Sequence, residues 1–290
     1  ALRSLSGAHT DAPPAAAQGY LIVEGLFDAR EVAALQATVE SFKQNDLLYD
    51  QSTTEMQNFQ LHEISECSAL LRALPYKPEV KRCLTTLLNG DSDPLEVLGD
   101  QMFLKPAQTG QGTSYHQVSC THKTRVLFDG ASYHQDNAYF RMPEPEKARG
   151  TGMWIAVHDA TVENGTMSVI PRSHNELLAH ARDSVSNHFI TCEEDAWYRQ
   201  AANTAVPAVM KAGGVIFFSY NTAHSTGDNR SLHERAGLAF HVGPASLHDA
   251  KPEQPMVYPG AEGEGNQSAA QQDNEVIKIL QAKSTKQESE

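Results

Sequence analysis

No two cysteines in this chain are spaced as a CxxC metal or redox motif, since Cys67, Cys83, Cys120 and Cys192 stand far apart. Separated thiols of this kind are read as unpaired cysteines of a reducing compartment. No apolar run is long enough to span a bilayer. The opening residues Ala1-Leu2-Arg3-Ser4 begin no long apolar stretch, so secretion is not expected and the expected location is the cytoplasm. The glycosylation patterns Asn164-Gly165-Thr166 and Asn229-Arg230-Ser231 are set aside on that ground. The final Glu288-Ser289-Glu290 is not a peroxisomal SKL-type signal. A GxSxG elbow is also lacking, which leaves a Ser/His/Asp hydrolase poorly supported. Positive charge is scarce: 23 Lys and Arg face 36 Asp and Glu, for a net charge of −13. That balance disfavours non-specific contact with nucleic acid or anionic membrane but is compatible with a local basic pocket. The expected partner is a small-molecule substrate, and the sequence does not specify an oligomeric state.

What is present fits a globular protein. Hydrophobic residues make up 40% and charged residues 20% of 290 positions. The length suffices for a substantial core and for one large β-rich domain. Residues 1–17 are small, polar and Pro/Ala-rich and read as a flexible N-terminal segment. Gly19 to Leu26 reads as a strand and turn. Asp28 is placed as the N-cap of a helix over Ala29–Phe42, with Val32, Leu35, Val39 and Phe42 on one face. Residues 45–60 read as irregular, and 64–88 as helical with interruptions near Pro75 and Pro78. From about residue 95 the period becomes two. Gln101–Lys105, Gly152–His158, Val215–Phe218 and Arg235–Val242 read as strands, and helical punctuation is expected only between 175 and 203. Helices followed by many strands imply a mainly β fold, an antiparallel core with flanking helices. Residues 18–250 are expected to form a single domain. The tail over 251–290 is polar and expected to be largely disordered, apart from a short helix at 274–282.

His134-Gln135-Asp136 is a candidate for metal binding. Residues two apart on an extended segment point the same way, so an HxD pair offers two ligands to one ion. Two histidines and one carboxylate on one face of the metal suit non-haem iron(II) and leave open coordination positions. The pair alone is weak evidence. The third candidate is His224, 90 residues further on, at the far end of an apolar strand that leaves the Gly213-Gly214 turn. Arg235 follows 11 residues later and opens the next strand. Alternation places Arg235, Gly237, Ala239 and His241 on one face, the small residues leaving room for a ligand. An Arg fork there suits a carboxylate such as the C5 carboxylate of 2-oxoglutarate. Gln101, Phe103 and Lys105 share a face of their own strand. Trp154 points opposite Met153 and Ile155, a position more often core than cofactor contact. Asn164-Gly165 reads as a structural hairpin turn.

HQDN (134–137), WIAVHDATVENGTMSVIPRSH (154–174), the HSTGDN…R segment (224–235) and GYLIVEGLFDAREVAAL (19–35) together resemble the phytanoyl-CoA dioxygenase family. The resemblance runs over most of 19–243 and implies a double-stranded β-helix core, a jelly roll of the cupin-like type. It further implies that His134, Asp136 and His224 ligate Fe(II) as the catalytic centre and that Arg235 grips 2-oxoglutarate. Gln101, Lys105, Trp154 and Thr226 would then lie around that cosubstrate, and O2 would be the oxidant. The implied reaction is hydroxylation, because related halogenases lack the carboxylate that Asp136 supplies. Pro171-Arg172-Ser173-His174 departs from the family's PGSH at Arg172, which bears on the local turn.

Gly112-Thr-Ser-Tyr-His116-Gln117 nearly repeats 18 residues later as Gly130-Ala-Ser-Tyr-His134-Gln135. Removing 118–135 would join His116-Gln117 to Asp136 and restore a continuous HQD. That stretch therefore reads as an 18-residue insertion, either splice-derived or a native surface loop, and His116 competes with His134 for the ligand position. Two other classes stay open: a non-catalytic jelly-roll binding protein that retains metal or 2-oxoglutarate binding, and a metal hydrolase using His and Asp.

Overall fold

A computed structural model describes residues 15–50, 59–88, 95–110, 150–175, 178, 180–182, 190–192 and 203–244. Outside these lie residues 1–14, the 118–135 stretch with His116, His134 and Asp136, and the tail over 251–290 with its expected helix.

The chain enters through α1 (Ala15–Gln18) and β1 (Tyr20–Val23), then turns into α2 (Ala29–Gln44). Asp28 caps α2 as its sequence predicts, accepting from the Arg30 and Glu31 amides at 2.9 Å each. The Glu31 carboxylate takes the Asp28 amide at 2.7 Å, completing a capping box. Leu35, Val39 and Phe42 are buried, on the face the spacing assigned them. Two short strands, β2 (Tyr49–Asp50) and β3 (Phe59–His62), lie where an irregular segment is expected. β3 has one polar inner position, Gln60, so its alternation is muted in the sequence. Then come α3 (Ile64–Cys67), α4 (Ala69–Ala73), a 3₁₀ turn and α5 (Pro78–Leu87), broken at Pro75 and Pro78 as read.

The strands that follow are β4 (Leu95–Lys105), β5 (Thr151–Ala156), β6 (Met167–Val169), β7 (His180–Arg182), β8 (Ile190–Cys192), β9 (Val206–Pro207), β10 (Val215–Ser219), β11 (His224–Thr226) and β12 (Arg235–Pro244). β7 and β8 pair with each other inside the 175–203 region where helical punctuation is expected, which corrects that expectation at 180–182 and 190–192; most of the rest of that region lies outside the described residues. Three-residue strands are too short to display a period of two.

All strand pairs are antiparallel. The large sheet runs β1-β10-β5-β12-β4-β3-β2 and a small one runs β11-β6-β9. One face of the large sheet carries Met102, Leu104, Met153, Ile155, Leu238, Phe240 and Val242 against the helices. The other carries Phe103, Trp154, Ala156, Ile216, Phe218 and Ala239, packed with Met167 and Val169 of the small sheet. Two antiparallel sheets closing on a shared interior form a double-stranded β-helix, the jelly roll expected. Strand alternation places every candidate side chain of β4, β5 and β12 toward this second interior.

Arg172 sits at φ 64°, and its amide bonds to Gln18 O at 2.9 Å. The turn is therefore kept, with Arg in a left-handed conformation that glycine would adopt at no cost and an L-residue holds at about 1–2 kcal/mol.

Candidate active site

β12 and β4 pair so that Arg235 stands directly opposite Lys105. Both side chains face the jelly-roll interior, and both are nearly inaccessible, at 1% and 0% exposure. The Arg235 guanidinium donates to Gly165 O at 2.5 Å and, weakly, to Asn164 O at 3.5 Å. Its Cζ lies 5.2 Å from the centre of the Trp154 ring, a cation–π arrangement. The Lys105 ammonium donates to Thr226 Oγ1 at 2.9 Å and to Gly227 O at 2.6 Å. Among the described residues neither cation forms an ion pair. Burial, and then the neighbouring Arg235 charge, hold the Lys105 ammonium well below the usual lysine value, with Asp228 opposing. Burial alone pushes Arg235 down to about 10, so it stays charged at neutral pH.

Such a pair is costly without an anion, because a buried charge needs a charge partner as well as hydrogen bonds. Two neighbouring cations at the inner wall, both held by neutral carbonyls and a hydroxyl, form a receptor for a carboxylate or dianion. Trp154 supplies the floor. A β-carbon on Gly237 would run into its indole, so the small residue admits Trp154, where the sequence suggested room for a ligand. Gly165, at φ 73°, brings its carbonyl to Arg235 by packing on the Gly227 backbone, where a β-carbon would clash. Asn164-Gly165 is thus a turn, as read, and also the acceptor that aims the guanidinium.

His224 opens β11, and Thr226, two residues on, projects the same way. The Lys105–Thr226 bond therefore ties the histidine's strand to the cation pair. His224 is buried, and its Nδ1 bonds to Thr222 O at 2.9 Å. A carbonyl only accepts, so Nδ1 carries the hydrogen and the lone pair sits on Nε2, the tautomer a metal-ligating histidine needs. The Phe218 ring lies 4.5 Å from the imidazole. The approach to β11 is pinned by Thr222 Oγ1 donating to Gly19 O at 2.8 Å and the Ala223 amide donating to Ser173 Oγ at 2.8 Å.

Gln101 is buried two positions before Phe103 on the inner face of β4. The described candidates thus occupy one interior: Thr226 bonds Lys105, Lys105 stands opposite Arg235, Arg235 lies over Trp154, Gln101 shares their sheet face, and His224 lies two residues from Thr226. Among the described residues no three His, Cys, Asp or Glu side chains gather as a metal site. His134 and Asp136 lie outside those residues.

Asn229 is a structural centre to which its sequence assigns no role. Its amide reaches Lys105 O at 3.0 Å, Pro106 O at 3.0 Å and His233 O at 2.8 Å. Its carbonyl oxygen accepts from the Ser231 amide and hydroxyl. One buried side chain thus joins the end of β4 to the approach of β12, and nothing in the local sequence around one Asn signals that.

The model of the phytanoyl-CoA dioxygenase family (PhyH) matches residues 16–237. Phytanoyl-CoA dioxygenase domain-containing protein 1 of Mus musculus is 26% identical over 186 residues, covering 62% of this chain and 55% of that protein. The chain spans about half the length of the curated relatives it matches first. Ectoine dioxygenase of Sphingopyxis alaskensis is 25% identical over 251 residues, covering 78% of this chain and 74% of that protein. The crystal structure of the epimerase SnoN in complex with Fe3+, alpha ketoglutarate and nogalamycin RO superposes with a TM-score of 0.59 at 20% identity, over 84% of this chain and 90% of that one. The sheet order, the interior that the candidate residues share and the match across 16–237 agree: the chain belongs to the phytanoyl-CoA dioxygenase family.

Proposed function

We propose that the protein is an Fe(II)- and 2-oxoglutarate-dependent dioxygenase that hydroxylates a small organic or acyl substrate and releases succinate and CO2. The buried Arg235–Lys105 pair carries this reading, because two adjacent interior cations without an ion pair among the described residues call for an acidic ligand. His134, Asp136 and His224 would hold the iron. The donor set of two imidazoles and a carboxylate suits that metal, and the His224 tautomer presents Nε2 for it. When bound, iron with O2 and 2-oxoglutarate supplies the oxidising chemistry for an unactivated C–H bond.

The chain's own residues bind and orient. Arg235 would fork onto the distal carboxylate of 2-oxoglutarate, its own angle set by the Gly165 carbonyl and the Trp154 face. Lys105 adds charge beside it, and Thr226 holds Lys105 and offers its hydroxyl to the cosubstrate. Gln101 would meet the cosubstrate from β4. Phe218 and Trp154 keep water from the interior, which strengthens each of these interactions.

The test is succinate release by protein supplied with Fe(II) and 2-oxoglutarate, with and without candidate substrates that include ectoine and an acyl-CoA thioester. Substrate-stimulated succinate with a hydroxylated product supports the proposal. Saturable 2-oxoglutarate binding with no turnover on any substrate would identify a non-catalytic binding protein. Absence of 2-oxoglutarate binding would overturn both readings.

A further inference from the structure

The backbone beside Arg235 is anchored by a side chain. Gly237 pairs with Ala156 across β12 and β5, so Ala236 stands opposite Val157. Opposed residues of a hydrogen-bonded antiparallel pair exchange both N–H···O bonds. Here one of the two is made, from the Val157 amide to Ala236 O at 3.3 Å. The other is replaced. Val157 O accepts from Gln36 Nε2 of α2 at 3.0 Å, and the Ala236 amide donates to His158 Nδ1 at 3.0 Å. The imidazole has taken the place of a ladder carbonyl at the residue that follows Arg235.

We propose that His158 is a positioning residue for the Arg235 anchor, acting only while its Nδ1 is an acceptor, so that protonating His158 releases the start of β12 and weakens the hold on 2-oxoglutarate. This rests on the dioxygenase reading and adds to it a residue and a proton-linked control. Ala236 is wholly buried, so its amide has no water to turn to when the imidazole stops accepting. Arg235 is aimed by a single short bond to Gly165 O and by the Trp154 face. A loosened strand start moves the guanidinium off both.

The charged groups that bear on His158 come from each neighbouring element. Glu234 and Asp159 favour its protonated form, and Lys43 of α2 and Arg235 of β12 oppose it. Glu234 is itself paired with Lys43 at 3.0 Å and Asp159 with Lys211 at 2.7 Å, which blunts their pull. Burial is the largest influence and lowers the pKa of His158 below the ordinary histidine value. The neutral clamp is therefore complete at and above the ordinary histidine pKa and is lost as pH falls through the lowered one.

Two variants separate this role from packing. In His158→Asn the new amide oxygen would sit where Nδ1 does, which keeps an acceptor that cannot titrate, and His158→Leu removes the acceptor. Two readouts are taken: amide hydrogen exchange at Ala236, and 2-oxoglutarate affinity of the metal-loaded protein from pH 5 to 8. At pH 8 we expect H158L to exchange faster at Ala236 and to bind 2-oxoglutarate about tenfold more weakly, with H158N near wild type in both. On acidification the wild type should lose affinity that H158N retains. Wild-type affinity and Ala236 protection in H158L, or an acid limb identical in H158N and wild type, would overturn the proposal. If the wild type binds no 2-oxoglutarate, the dioxygenase reading and the coupling to it fall, while the exchange data still decide whether the clamp exists.

Discussion

Arg235 and Lys105 face each other across neighbouring strands, both sealed from solvent, and among the described residues neither forms an ion pair with a carboxylate. Protein interiors avoid such an arrangement unless something anionic belongs there. The site is therefore poised at the expense of the ligand-free fold, and its energetics should respond to pH and to mutation in ways a structural ion pair would not.

Lys105 gives the pH dependence its sign. Burial and Arg235 lower its pKa, so in the alkaline range the unfolded chain carries a proton that the fold does not. Stability of the ligand-free protein should rise with pH between the lowered value and the ordinary one of about 10.4. Affinity for 2-oxoglutarate should fall over the same window, because the anion prefers the charged ammonium. Lys105→Met should abolish this alkaline limb, weaken binding about tenfold or more, and leave the ligand-free melting temperature unchanged or higher. Parallel melting and binding titrations from pH 7 to 10 check both slopes, and slopes of the same sign would refute the assignment.

His224 should be dispensable for folding and required for iron. His224→Ala is expected to keep a wild-type circular dichroism spectrum and to lose iron affinity by more than the 10–100-fold that removing an outer partner of a ligand costs. Chelation should stop succinate release by the wild type, and added Fe(II) should restore it. Metal analysis after anaerobic reconstitution measures the loss. Full iron occupancy in the variant would exclude His224 as a ligand.

Gly237 exists for Trp154. In Gly237→Ala the new methyl meets the indole, so the ring must tilt from beneath Arg235. The expected cost is about 1–3 kcal/mol of stability, with weaker 2-oxoglutarate binding alongside it. Thermal denaturation with tryptophan fluorescence reports both, and an unchanged melting temperature would mean that the interior is looser than the contacts show.

Asn229→Ala leaves the Lys105, Pro106 and His233 carbonyls without their shared donor. A destabilisation of about 2–4 kcal/mol is expected from urea denaturation. Asn229→Asp should be about as damaging, since it too removes the donors. A shift under about 0.5 kcal/mol in either variant would show that the junction is satisfied another way.

The strands that build the site were legible because they run for six to eleven residues. β4, β5 and β12 keep a period of two over enough residues to show which side chains share a face, Gln101 with Lys105 and Arg235 with Gly237, while the place of Lys105 and Trp154 beside the cosubstrate came from the family resemblance. The Asp28 capping box and the breaks at Pro75 and Pro78 were legible for equally local reasons. β2, β3, β7 and β8 were not, because two to four residues give little or no period and no turn signal marks the local pairings of β2 with β3 and of β7 with β8. Nor could the sequence show that the Gly165 carbonyl aims Arg235, that Asn229 staples β4 to β12, or that His158 stands in for a ladder carbonyl, since each depends on backbone atoms far along the chain.

In the function proposed, Arg235 anchors 2-oxoglutarate beside an iron held by His134, Asp136 and His224. Calorimetric titration of 2-oxoglutarate into anaerobic Fe(II)-loaded protein, wild type against Arg235→Ala, tests it most directly. Saturable one-site binding is expected in the wild type, with affinity about 100-fold weaker in a variant that remains folded, as loss of a buried charge-assisted pair requires. Equal affinity in the two proteins, or no binding by the wild type, would contradict it.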